Sequence, residues 1–189
     1  MLLGVSLVAS VPHVADAIQY ERSEVLSGET WRLLTGQIVH WSWGMTCADL
    51  GTIALAGGWL ETRSRRLAVS AAALSAALVA VALLVARPDV AFYRGASGIA
   101  VGLTVAAALE LARAGPSRWL RRAGAALFAL LLVKAAAEMI TGASFLPGTL
   151  PEGIALVPET HLAGAAGGIL AVMVPRVLAR GGITPPSES

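Results

Sequence analysis

The stretch LAVSAAALSAALVAVALLVA, Leu67 to Ala86, decides the class of fold. It carries no charged side chain, and about 20 consecutive apolar residues are what one helix needs to cross the hydrocarbon core of a bilayer. Working outward, comparable stretches run about Ile38 to Trp59, Ser97 to Ala112, Ala123 to Ile140 and Leu162 to Ala179, with a shorter candidate from Met1 to Ala15. The expectation is six spans, or five. Of the 189 residues, 56% are hydrophobic and only 14% charged, which excludes an ordinary soluble domain. Alanine, leucine and glycine dominate, and helices are the open elements that satisfy their own backbone in lipid, so the expected fold is an all-α polytopic membrane bundle. Residues 1–180 read as one transmembrane domain. The last stretch, 181–189 (GGITPPSES), reads as a disordered cytoplasmic tail.

Charge distribution gives the orientation. Arg63, Arg65 and Arg66 follow the second span, Arg113, Arg118, Arg121 and Arg122 separate the fourth and fifth, and Arg176 and Arg180 close the last. By the positive-inside rule these ends face the cytoplasm. The opposite ends mix Arg22, Arg32, Arg87 and Arg94 with Asp16, Glu21, Glu24, Glu29, Asp89, Glu152 and Glu159, and face outward. Trp31, Trp41 and Trp43 fall at the outer edge and Trp59 and Trp119 at the inner edge, as headgroup-level anchors would. A net charge of +2, spread over several short loops, reads as topology and gives no nucleic-acid surface. The single Cys47 cannot form an intrachain disulfide. MLLGVSLVASVPHVADA resembles a signal peptide ending at Ala15-Asp16-Ala17 but lacks a basic leading region, so it is either cleaved or retained as the first span. No metal-ligand cluster, phosphate-binding loop or cofactor motif stands out, and no cofactor is expected.

Against this background FYRGASGIAV, Phe92 to Val101, places a serine at the outer end of a span. His161, in PETHLAGAAGG, lies at the outer end of another. A serine hydroxyl is a weak nucleophile until a neighbouring base takes its proton, and histidine is the usual base. Ser97 and His161 therefore form a candidate dyad at one depth. Gly95 and Gly98 let backbone approach substrate and the facing helix, and Gly164, Gly167 and Gly168 put a small-residue stripe below His161. Small-residue patterns with serine also serve simple helix packing, so GASG read alone supports either role.

The chain resembles the rhomboid intramembrane serine proteases, closest to the rhombosortase branch, along most of its length. Trp31-Arg32 and His40 in ETWRLLTGQIVHWSW match the first outer loop, GGWLETR (Gly57–Arg63) the inner end of span two, YRGASG the G-x-S-G nucleophile motif, and HLAG the histidine motif of the last core helix. The resemblance implies a rhomboid-like six-helix bundle in a bacterial inner membrane, with Ser97 as nucleophile and His161 as base and then acid, toward the periplasm. It further implies a membrane-anchored protein substrate, for rhombosortases one with a C-terminal tail of a Gly-Gly motif, an apolar helix and a basic end.

One departure stands out. Where relatives carry histidine and asparagine in span two, this chain has Met45 and Asp49 in MTCAD. A thioether donates no hydrogen bond, so the oxyanion would rest on the N–H of Ser97 and of Ala96, with help from water, a protonated Asp49, or His40. A catalytically weak or inactive rhomboid-like protein that binds transmembrane helices is the alternative. A small transporter is disfavoured, since acidic pairs on repeated, broken spans are missing. Lys134 and Glu138, four residues apart, read as a neutralising structural pair. Ser70 and Ser75 read as mid-bilayer residues without a chemical part.

Overall fold

The computed structural model describes residues 12–142 and 154–180. A small cap comes first: α1 (Pro12–Ile18), β1 (Tyr20–Glu21), α2 (Arg22–Ser27) and α3 (Arg32–Thr35). The bundle follows: α4 (Trp43–Arg63), α5 (Arg65–Val81) extended by a π turn at Ala82–Ala86, then β2 (Phe92–Tyr93), α6 (Ser97–Ala114), α7 (Arg118–Thr141) and α8 (Pro158–Arg180). The segments Arg65–Ala86, Ser97–Ala114 and Arg118–Thr141 are each long and apolar enough to cross a membrane. This is a helical, multi-pass membrane protein. The expected count of six spans is not reached among the described residues. The candidate first span lies outside them except for Pro12 to Ala15, as does the tail 181–189.

Capping explains where helices differ from the apolar stretches. Ser42 accepts the Met45 N–H at 3.1 Å and so starts α4 at Trp43, leaving Ile38 to His40 in the loop before it. Ser64 and Ser117 cap α5 and α7 in the same way, through Leu67 N–H and Leu120 N–H, each at 3.2 Å. Each hydroxyl satisfies one of the donors that a helix start leaves open. Pro158 opens α8, at a position where its missing N–H costs nothing.

The centre of the bundle is α6, which packs against α4, α5, α7 and α8. Where it crosses α8, glycine backbone meets glycine backbone. A Cβ on Gly164 would run into the Gly98 carbonyl, and one on Gly168 into the Gly102 carbonyl. Ser75 of α5 fits the same crossing, fully buried, its hydroxyl donating to the Gly164 carbonyl at 3.0 Å. It is a packing residue as well as a mid-span serine. Leu60, Ala71, Leu103, Ala106, Ala171 and Val172 close the core beyond the crossing. Leu55, Val85, Leu130, Val133 and Ile140 point outward, an apolar surface fit for lipid.

The cap braces the stretch that leads into α6. β1 pairs antiparallel with β2, Tyr20 opposite Tyr93, and the Gly95 N–H donates to the Gly36 carbonyl at 3.1 Å. Gly36 has no room for a side chain, because a Cβ would meet the Tyr20 backbone. Arg22 donates to the carbonyls of Leu83 and Leu84 at 3.3 Å, serving the π turn that ends α5. Arg94 bonds Gln19 at 2.9 Å, pairs with Asp16 and lies 4.2 Å over the Trp41 ring.

If the glycine crossing sets the bundle, Gly164→Ala should lower stability in detergent by about 1–3 kcal/mol, the usual cost of overpacking. Gly58→Ala on α4, where a Cβ meets nothing within 4 Å, should be neutral within about 0.5 kcal/mol. Thermal melts of the two variants check this, and equal melting would refute it.

Candidate active site

Ser97 is the first residue of α6, so its N–H and those of Gly98 and Ile99 precede the first intrahelical bond, from Ala100 N–H to the Ala96 carbonyl. These donors are open at the positive end of the helix, where negative charge is favoured. The serine is delivered there by Gly95, whose φ of +144° suits a residue without Cβ. A Cβ on Gly95 would also press on the Met45 methyl.

The glycine crossing brings the first turns of α6 and α8 together. His161 Nε2 lies 3.0 Å from Ser97 Oγ. The other ring nitrogen, Nδ1, lies 2.7 Å from Glu138 Oε2 of α7. Glu138 Oε1 in turn lies 2.6 Å from Lys134 Nζ. His161 and Glu138 are both buried, Glu138 almost completely, at 1% exposure. Four polar side chains from three helices thus stand in one row.

A cavity of about 230 Å³ opens onto this row, walled by Met45, Asp49 and Thr52 of α4, Ala100 and Thr104 of α6, and Leu131 of α7. Its lining is mainly apolar, and it lies between the flanking helices α4 and α7. A second cavity of about 350 Å³ shares Ser97, Met45 and Leu156 with the first and continues past Trp41, Tyr93 and Thr160 to Arg87 and Arg94. The serine therefore lines both cavities, and the charged groups Arg87, Asp89 and Arg94 lie on the wall of the second.

Of the other residues singled out in the sequence, Asp49 is the most engaged. Its Oδ2 accepts the Ala96 N–H at 3.0 Å and lies 3.2 Å from His40 Nε2. The Ala96 amide is thereby occupied and is not free for an oxyanion. His40 sits behind Asp49, lines neither cavity, and has a buried Nδ1 without a partner among the described residues. Gly98 faces Val79 and Thr160 and serves packing. Met45 is buried and lines both cavities.

The sequence reading missed two residues. Glu138 pairs with Lys134 as the spacing predicts, but its second oxygen reaches His161, and no periodicity on one helix reveals a partner on another. Tyr93 lies buried next to the hydroxyls of Thr160 and Ser97. Its phenol has no hydrogen-bond partner of good geometry among the described residues. Burial pushes this phenol up to about 12, so it keeps its proton. At the far wall Arg87 bridges Asp89, at 2.7 Å, and Glu159 in the first turn of α8, at 2.9 Å. Its guanidinium holds the Asp89 carboxyl down to about 2, and the bridge ties the loop before β2 to the helix that carries His161.

A model of the Rhomboid domain matches residues 27–176, a range that takes in α3 through most of α8. The chain belongs to the rhomboid family. No curated protein and no solved structure matches the chain. Rhomboids are in general intramembrane serine proteases that act on membrane-protein substrates within the bilayer.

Asp49 offers a test of how this rhomboid holds its serine loop. Asp49→Leu strands the buried Ala96 N–H and His40, at a cost of about 1–3 kcal/mol for each unsatisfied group, and should melt well below the parent. Asp49→Asn can keep a carbonyl oxygen where Oδ2 stands, an acceptor for both the Ala96 N–H and a His40 Nε2–H, and should melt close to the parent. Indistinguishable melts for Leu and Asn would show that the two hydrogen bonds do not carry the loop.

Proposed function

We propose that this rhomboid is an active intramembrane serine endopeptidase in which Ser97 is the nucleophile and His161 its base. The observation that carries the reading is the 3.0 Å contact between Ser97 Oγ and His161 Nε2 at the mouth of an apolar cavity. The Ser97 proton passes to Nε2 as Oγ bonds to the scissile carbonyl carbon and the carbonyl π pair becomes the oxyanion. As that intermediate collapses, the C–N bond breaks and the Nε2 proton goes to the leaving amine. Water then attacks the acyl-enzyme with His161 again as base, releasing the acid and restoring Ser97.

The oxyanion is held at the start of α6 by the Ser97 N–H, with the Tyr93 hydroxyl as a side-chain donor beside it. Donors fixed in a dry site gain strength from the low dielectric. Asp49 supports the loop through Ala96, and Met45 fills space. The substrate is a membrane-anchored protein whose helix lies against the α4–α7 side, with the cut toward the outer face of a bacterial inner membrane. Arginine-rich inner ends support that orientation. The rhombosortase-like motifs support a C-terminal sorting tail with a Gly-Gly motif as the substrate class.

A fluorophosphonate probe should label the detergent-purified protein, and Ser97→Ala should abolish the label. His161→Ala should slow it by about 10² or more, the usual share of a general base. Strong labelling that survives Ser97→Ala would overturn the reading. Met45→Leu, similar in volume and equally unable to donate, should change turnover of a transmembrane substrate by less than about tenfold. A loss as deep as that of Ser97→Ala at unchanged stability would give Met45 a part in the chemistry.

Orientation is tested with cysteines in a Cys47→Ala background. Ser27→Cys, exposed in the cap, should react with an impermeant thiol reagent added from the periplasmic side, whereas Ser117→Cys, exposed between α6 and α7, should not. The opposite pattern would place the site toward the cytoplasm.

A further inference from the structure

We propose that Glu138 is a positioning residue for this reaction, a third member of the row that acts through His161; the inference rests on the protease reading above. Three observations carry it. The carboxylate meets the ring nitrogen that Ser97 does not use, His161 Nδ1, at 2.7 Å. It is almost wholly enclosed, at 1% exposure. It sits on α7, whose packing is chiefly against α6 and only lightly against α8, so the reach to His161 is not a by-product of a broad helix interface.

The chemistry is helped by such a group. Neutral imidazole has one N–H and one lone pair, and Ser97 needs the lone pair on Nε2. A carboxylate accepting Nδ1–H fixes that tautomer and the ring plane, then faces the positive charge when the ring takes the serine proton. Lys134 occupies the other oxygen, at 2.6 Å. A carboxylate alone inside a span is costly, and the ammonium compensates it. The arithmetic of charge stays level through the reaction: Lys134 and Glu138 cancel at rest, and the imidazolium and the oxyanion cancel in the tetrahedral intermediate. Besides Ser97, Lys134, Glu138 and His161 itself, the titratable groups on these walls are Asp49 and Tyr93, with Arg87, Asp89 and Arg94 on the wall of the second cavity. Asp49 is engaged with Ala96 and His40. None of the contacts described for Tyr93 or Asp49 reaches Nδ1.

A purely structural Lys134–Glu138 pair makes a different forecast, because either partner's loss would then matter alike. Turnover of a transmembrane substrate by the full chain in detergent, measured alongside thermal stability, separates the two. Glu138→Gln should lower kcat by about 10² or more with KM within about threefold, since substrate does not bind through this residue. Glu138→Asp, which keeps the charge on a shorter stem, should recover at least about tenfold of that loss. Lys134→Met should cost less than about tenfold. Wild-type kcat in a folded Glu138→Gln overturns the inference, as do equal losses in Glu138→Gln and Lys134→Met. If Glu138→Gln does not fold, an unaltered kcat in Glu138→Asp together with a deep loss in Lys134→Met overturns it. Turnover that survives Ser97→Ala overturns the protease reading itself, and this inference with it.

Discussion

The Gly98 carbonyl occupies the place where a Cβ on Gly164 would stand, and the same holds one turn on for Gly102 and Gly168. Lipid tails give helices no hydrophobic reason to associate, so close backbone approach and the dispersion it brings are what fix such a crossing. Because glycine backbone meets glycine backbone where α6 and α8 cross, their first turns lie close enough for one hydrogen bond between Ser97 and His161. Larger residues at these glycines would widen the crossing and move Ser97 and His161 apart. Ser75 locks the crossing from α5, which makes the geometry a three-helix property.

The loop that carries the serine is held from two sides by different chemistry. From the cap, Tyr20 pairs with Tyr93 and Gly36 receives the Gly95 N–H. From α4, Asp49 receives the Ala96 N–H. Backbone amides on successive residues are thus spoken for, and the next amide in line, that of Ser97, is left open at a helix start. An isolated loop of this shape would spread over many conformations, and bracing it from both sides narrows that spread.

Much of this was legible in the chain. Uncharged runs gave the helices, and the GASG serine and the PETHLAG histidine gave the two residues that stand 3.0 Å apart. Helix starts were read less well, because apolarity says where lipid can be and capping says where a helix begins; Ser42 moves α4 past His40, which therefore sits behind Asp49. Asp49 looked like a possible donor, yet the oxygen that is engaged accepts from an amide nearly fifty positions away. Glu138 looked complete with Lys134, since a sequence shows neighbours on one helix face and not what the second carboxylate oxygen finds across a gap. Tyr93 carried no signal beyond lying next to the serine motif, because only burial turns its hydroxyl into a spare donor.

α7 is attached to the rest of the bundle mostly through α6, and much of its surface consists of outward-facing leucine, valine and isoleucine. It is also the helix that holds Glu138. The contact to His161 has little tolerance, since a hydrogen bond near 2.7 Å is lost within about an ångström of separation. Any sideways excursion of α7 therefore uncouples the carboxylate from the imidazole while leaving Ser97 and His161 in place. The arrangement works as an interlock: the His161 ring keeps its carboxylate contact only while this helix is seated.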